Sequence, residues 1–465
     1  MTASSSRLRI AAFPLVAILT CAAGLGVSLG QASAQEKGSN EPSGSAQEPP
    51  GKRLIEHLGC AVCHTLQSET TTVRAEAPDL TYEGDKVRPE WLFEFLKKPH
   101  SLRPWLRARM ANFQLSDREA VALIEYIRQD LRDRAAPALP EKMRLTGEAP
   151  KEIAKVGAQL ASKEYFDCFS CHMVGKQKPE GPPEGWAPDL AMAAGRLNPD
   201  WIARWLRDPQ KIQAGTKMPM YFSGPGSGPP NILGGDETRQ LLALRAWLLD
   251  FGRASESAPY EKTKAAYRDA SPEEGRRLAE ELNCGGCHRI PGLSAQRKVA
   301  PVLSYAGSKF RKDWLTTFLK NPRRIRPAGY VLGWRSRMPD FRLSDEEVGA
   351  IADYLMTLTY PGLRKGLVAE GETLGRVERL KGAKLLETTE GCIGCHRVKS
   401  RRGEIVGGLS GPDLSEAGQR LQGDFIYNFI RNPRAFEPQG RMAIFGHFLS
   451  DTDAKAVAEY LTTLK

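Results

Sequence analysis

The string Cys-x-x-Cys-His occurs four times in this 465-residue chain, beginning at Cys60, Cys168, Cys284 and Cys392. The periods are 108, 116 and 108 residues, the length of whole domains rather than of stacked solenoid units. Other landmarks repeat with the motif. A glycine in a helical stretch precedes each copy (Gly51, Gly157, Gly275, Gly382). A proline follows each histidine (Pro78, Pro188, Pro301, Pro412). A large aromatic lies 13 residues further on (Trp91, Trp201, Trp314, Phe425), and a second proline 8 residues beyond that (Pro99, Pro209, Pro322, Pro433). Offsets held in all four copies imply one fold used four times.

Two cysteines separated by two residues and followed at once by histidine form the attachment signature of a c-type haem. The pairs are Cys60 with Cys63, Cys168 with Cys171, Cys284 with Cys287 and Cys392 with Cys395. Each pair would bond to the porphyrin vinyl groups, while His64, His172, His288 and His396 ligate the iron from below. Four haem c groups are therefore expected. A zinc half-site is the competing reading, but a zinc ribbon needs its second pair close by. Here the pairs lie more than a hundred residues apart.

Each unit reads as helices joined by loops, with apolar residues at helical spacing after the first proline, as in Trp91, Leu92, Phe95 and Leu96. The second proline stops that helix. Ser116 with Glu119 and Ser344 with Glu347 match capping boxes, and Ser450 with Asp453 is a close variant. The helices that these caps open carry an aromatic, as does the matching helix of the second unit (Tyr126, Trp247, Tyr354, Tyr460). No alternating strand pattern of useful length appears. The expected fold class is all-α, with four tandem domains over residues 50–135, 151–254, 271–361 and 377–465. Linkers are expected at 134–150, 255–270 and 361–376. Residues 35–49 read as a disordered linker, being rich in Gly, Ser and Pro.

The sixth iron position decides what such a centre can do. Met110, Met218 and Met442 each follow their histidine by 46 residues and Met338 by 50, and each sits behind a basic residue. A lone methionine is usually core filler. Four at matched offsets read as distal ligands, each serving the motif of its own unit. Met220, two residues from Met218, could substitute there, and His447 could compete with Met442. His57 and His100 have no counterparts in the other units. The second unit also carries a Gly/Pro-rich excess over residues 223–235, read as a surface loop near its distal ligand.

On these motifs the chain resembles the class I cytochrome c family, over nearly all of its length after residue 50. The resemblance implies that Gly51, Gly157, Gly275 and Gly382 let the first and last helices of each domain cross, beside Tyr126, Trp247, Tyr354 and Tyr460 in that order. It also implies that the carbonyls of Pro78, Pro188, Pro301 and Pro412 accept a hydrogen bond from the axial histidines, which orients the ligand. The third unit reads Ala-Pro-Val-Leu where the others have Pro-Asp-Leu.

The N-terminus carries Arg7 and Arg9, an apolar run over residues 10–29 and an Ala-Ser-Ala site at 32–34, the pattern of a cleaved signal peptide over residues 1–34. An uncleaved membrane anchor over residues 10–30 is weighed below cleavage. A periplasmic or other extracytoplasmic location is expected. Cleavage would remove Cys21, the one cysteine outside the motifs, and would lower the formal charge of +11 to +9. Haem propionates lower it further, so the basic balance does not argue for nucleic acid. A closed His/Met iron offers no open position to a small-molecule substrate, which favours an electron carrier between a redox protein donor and acceptor. The alternatives are a haem enzyme of the di-haem peroxidase type, and a wiring subunit of a membrane respiratory complex.

Overall fold

The computed structural model describes residues 48–66, 77–103, 105, 109–135, 151–224, 226–252, 259–293, 298–369, 373–400 and 402–465. The expected signal peptide and nearly all of the linker at 35–49 lie outside them. Each unit is built on three helices. The first precedes the motif: α1 (Pro50–His57), α4 (Lys151–Ala161), α7 (Pro272–Glu281) and α10 (Arg376–Lys384). The second follows the proline: α2 (Pro89–Lys97), α5 (Pro199–Arg207), α8 (Lys312–Lys320) and α11 (Gly423–Arg431). The third closes the unit: α3 (Asp117–Asp130), α6 (Glu237–Phe251), α9 (Asp345–Thr357) and α12 (Asp451–Thr462).

Local chemistry sets these boundaries. Pro89 and Pro199 open α2 and α5 at a position whose N–H has no helical partner. Pro99, Pro209, Pro322 and Pro433 stand two residues past the end of the second helix in every unit, where they block its continuation. Both full capping boxes form, at Ser116 with Glu119 and at Ser344 with Glu347. At α12, Ser450 accepts the amide of Asp453. Along each second helix two aromatics four residues apart pack together, stacked in Trp91 with Phe95, Trp201 with Trp205 and Trp314 with Phe318, and tilted in Phe425 with Phe429.

The second and fourth units close on themselves. A Cβ on Gly157 would overlap the carbonyl of Ala243 and the Cβ of Trp247, so α4 and α6 touch backbone to backbone. Gly382 meets Ala456 and Tyr460 in the same way. The first and third units do not close on themselves, so residues 50–135 and 271–361 are not self-contained domains. Gly51 of α1 lies against Ala350 and Tyr354 of α9, and Gly275 of α7 against Ala122 and Tyr126 of α3. The cores follow this exchange. Ile55, Leu58, Ala61 and Leu66 are buried with Leu315, Leu319, Ile351 and Leu355. Leu278, Ala279 and Leu282 are buried with Leu92, Leu96, Val121 and Ile124. Every copy carries the same complementary halves, so an N-terminal half finds an equivalent partner in another copy.

The chain is thus a doubled pair, with matching contacts in each half. The seam between the first and second units has Arg88 donating its amide to Arg196 O (2.8 Å) and its Nε to Leu197 O (3.1 Å), while the Asn198 amide nitrogen Nδ2 bonds the carbonyls of Asp85 and Val87. The seam between the third and fourth repeats this through Arg311, Arg420, Leu421 and Gln422. Between the two pairs, Asn112 and Asp340 exchange backbone hydrogen bonds at 2.7 and 2.8 Å. Arg109 meets Glu347 at 2.6 Å, and Arg337 meets Glu119 at 2.9 Å, each ion pair the counterpart of the other.

Two further expectations, both about linkers, need correction. Tyr260, inside the expected linker at 255–270, is buried in a short helix (Tyr260–Ala265) and donates to Glu125 at 3.0 Å. Residues 366–368, inside the expected linker at 361–376, are strapped to α11 by three amides donating to the Asp424 carboxylate. The fourth unit also contains a hairpin, β1 (Arg397–Lys399) against β2 (Ile405–Gly407), too short to show as alternation in sequence. Among the described residues, no helix is long and apolar enough to cross a membrane.

Candidate functional site: four cysteine–histidine centres

Each motif is a single tight turn. The residue before the first cysteine has a left-handed backbone: Gly59 (φ 70°), Asp167 (φ 45°), Asn283 (φ 57°) and Gly391 (φ 61°). Asn and Asp tolerate that region better than other side-chain-bearing residues. The histidine amide then closes back on the first cysteine carbonyl at 2.9–3.0 Å in all four copies. Such a turn brings two sulfurs and an imidazole to one side of the chain.

All four imidazoles are held by a proline carbonyl. Nδ1–H of His172 donates to Pro188 O at 2.8 Å and that of His396 to Pro412 O at 2.9 Å. Nδ1–H of His64 donates to Pro301 O at 2.8 Å and that of His288 to Pro78 O at 2.9 Å. The four prolines named from sequence are all used, with Pro78 and Pro301 serving each other's unit. Donation from Nδ1 leaves the lone pair on Nε2, the atom that faces a metal. Burial pushes the pKa of each imidazole down, the proline carbonyl opposing it only in part, so the rings are neutral and fit to ligate. Burial likewise pushes the Cys60, Cys168 and Cys284 thiols up to about 12.

The distal methionines sit in the same cores as the motifs. Met218 packs in the core that holds Cys168, and Met442 in the core that holds Cys392. Met110 lies in the core with Cys284, and Met338 in the core with Cys60. The expectation that each methionine serves the motif of its own unit therefore meets a different geometry in the first and third units. Met220 is 46% exposed and stands outside the core that contains Met218. His447 is exposed on a short turn, and His100 is exposed with its ring edge-on to Trp91 and Phe95. The Gly/Pro-rich segment of the second unit is more than surface loop. Gln240, fully buried, donates to the carbonyls of Pro229 and Ile232, and Ile232 enters the core.

One continuous cavity of about 1690 Å³ is lined by all eight motif cysteines, the four histidines and the four distal methionines. Sequence reasoning missed its cations. Arg420 is buried and Arg196 half-buried in corresponding places at the two seams, each with an Nε that finds no acceptor in the protein. Arg196 lies over the Trp91 ring at 5.0 Å. Burial and the nearby Arg326 push the Arg420 guanidinium down to about 10. A sequence signal existed, since a basic residue stands five positions before the repeated aromatic in every unit: Lys86, Arg196, Lys309 and Arg420. Guanidinium groups with an unpartnered Nε, beside paired thiols, an imidazole of fixed tautomer and a thioether, suit a macrocycle carrying iron and two propionates.

No solved structure matches this chain. Against known families, residues 49–130, 272–359 and 380–465 match the family described as Cytochrome c. The matches cover more than half of the chain, and the second unit, which lies outside them, repeats the same motif turn, proline hydrogen bond and helix crossing. The chain belongs to the cytochrome c family.

Proposed function

We propose that this protein is an exported carrier of four covalently attached haems that passes electrons between a donor and an acceptor redox protein. The observation that carries this reading is the fourfold recurrence of a complete ligand set on one cavity: two cysteines, a histidine fixed through Nδ1, and a methionine. Bound haem supplies reversible one-electron chemistry, and a methionine sulfur favours the ferrous state. The chain's own residues hold the imidazole still, exclude water with the apolar cores and offset propionate charge through Arg196 and Arg420. Imidazoles fixed by hydrogen bonds and methionines packed against the cores keep rearrangement between oxidation states small. Cys171 and Cys395, in the second and fourth units, are exposed, which favours electron exchange with partners there. Export is supported by the leader-like pattern at 1–34 and by the attachment chemistry, and a periplasmic location follows from it.

Mass spectrometry of the mature protein is expected to show cleavage after residue 34 and four added haems. Optical and magnetic spectra of the oxidised protein are expected to show low-spin iron throughout, with the methionine-to-ferric charge-transfer band. A stable five-coordinate fraction in the untouched protein, accompanied by peroxide turnover, would favour the enzyme reading instead.

A further inference from the structure

We propose that the haems attached at the first and third motifs take each other's distal ligand: Met338 for the haem on Cys60 and Cys63, and Met110 for the haem on Cys284 and Cys287. The proposal rests on the four-haem His/Met reading above and adds a wiring to it.

Several independent contacts carry the exchange. His64 donates to Pro301 and His288 to Pro78, across separations of 237 and 210 residues. The backbone repeats the crossing on the same strands: the Leu303 amide donates to Thr65 O and the Leu80 amide to Arg289 O, both at 3.0 Å. α1 crosses α9 at Gly51 and α7 crosses α3 at Gly275, each so close that a Cβ would overlap a carbonyl of the other unit. Met338 shares a core with Cys60, and Met110 with Cys284. A class I centre needs all four elements on one haem. Here motif, proline, helix crossing and methionine change partner together.

The exchange also brings the two motifs into contact. The Asn283 side chain donates to Val62 O at 3.0 Å and approaches the Cys63 sulfur at 3.8 Å, and Lys298 donates to Ala61 O at 2.7 Å. A Cβ on Gly286 would overlap the Val62 side chain. The first and third haems thus meet at their attachment edges. The body that receives the third motif (Val87, α2, α3) borders the second unit, and the body that receives the first (Phe310, α8, α9) borders the fourth. The spatial order of the haems along the molecule becomes second, third, first, fourth, with the second and fourth at the ends.

The test uses the full-length haem-loaded protein with methionine methyls labelled in carbon-13. In the reduced state a ligating methyl lies over the porphyrin and is shifted far upfield, and nuclear Overhauser contacts identify its haem. The Met110 methyl, identified by its loss in M110A, is expected to contact the haem substituents bonded to Cys284 and Cys287. Contact with those bonded to Cys60 and Cys63 would overturn the exchange. Absence of any upfield Met110 methyl would instead sink the His/Met reading. A second measurement uses the three-haem variant C284A/C287A. There, M338A is expected to remove about one third of the charge-transfer band while M110A removes none, and the reverse result refutes the crossing. Should that variant fail to accumulate, the methyl contacts in the intact chain decide.

Discussion

At the scale of single residues, the second unit differs from the others at the sulfur of its distal methionine. Trp205 Nε1 donates to Met218 Sδ at 2.8 Å, where the other three units place a phenylalanine (Phe95, Phe318, Phe429). A donor on that lone pair withdraws density from sulfur and makes it a poorer ligand for ferric iron, which raises the potential. Trp205→Phe keeps the ring stack on Trp201 and removes the donor. A hydrogen bond worth about 1 kcal/mol corresponds to about 40 mV in a one-electron couple. The potential of that haem is expected to fall by this order in a spectroscopic redox titration, with the other three unmoved. The residues proposed as ligands stood out in sequence because each chemistry demands one residue type at one offset, and the structure gathers them on one cavity. Arg196, Arg420 and Trp205 were not singled out, because arginine and tryptophan on a helix have many ordinary uses and only the folded structure shows what each side chain faces.

At the scale of elements, the glycine of each first helix lets that helix meet its partner backbone to backbone, whether in its own unit or another. Gly157→Ala gains helix propensity of about 1 kcal/mol but drives a methyl into the Ala243 carbonyl and the Trp247 Cβ. Overpacking typically costs 1–3 kcal/mol, roughly the larger effect here, because the obstacle is backbone that has no alternative rotamer. G157A is expected to lower stability in denaturant unfolding and to raise amide exchange in α4 and α6. Ser116→Ala removes a complete capping box and is expected to cost about 1 kcal/mol. Helices, caps and proline stops were readable because they are set within a few residues. The structured linker segments were not. Tyr260 reads as an ordinary aromatic in a charged stretch, and its burial depends on α3, which ends 130 residues earlier in the chain.

At the scale of the whole molecule, the seams are polar and specific. Glu437 of the fourth unit is 2% exposed and accepts from Lys309 Nζ (3.0 Å), Tyr330 Oη (2.7 Å) and the Val302 amide (3.2 Å), all from the third. Burial pushes its carboxyl up, but Lys309 and the Tyr330 hydroxyl outweigh it and hold the pKa below the ordinary value of 4.5. A depressed carboxylate contributes stability that is present above its unfolded pKa and lost as pH falls through the folded one. The seam is therefore expected to loosen below about pH 4.5, seen as a drop in melting temperature on acidification. Glu437→Gln leaves Lys309 buried without a carboxylate and is expected to cost about 3 kcal/mol. It is also expected to flatten that acid limb, and an unchanged pH profile would show that Glu437 is not the titrating group. The number of units and their shared fold were plain from the repeat. Their partnering was not, because four similar copies offer four similar half-sites. What separates them lies in contacts such as Asn283 on Val62 and Arg337 on Glu119, which no local pattern encodes. The alternation of 108 and 116 in the periods was the one sign of a doubled pair.

The exchange between the first and third units also dictates a timetable for assembly. Helix α1 emerges first from the ribosome, yet its partner α9 ends at Thr357, some three hundred residues later. At typical synthesis rates of about 5–20 residues per second, that is a wait of many seconds with an apolar helix face uncovered. The second and fourth units, whose halves are neighbours in sequence, can each close without waiting for another unit. The two exchanged bodies must wait for the third unit, α3 for α7 and α1 for α9, and close through contacts of high sequence separation that form slowly. A chain interrupted after the second unit would carry one finished domain and two unmatched halves.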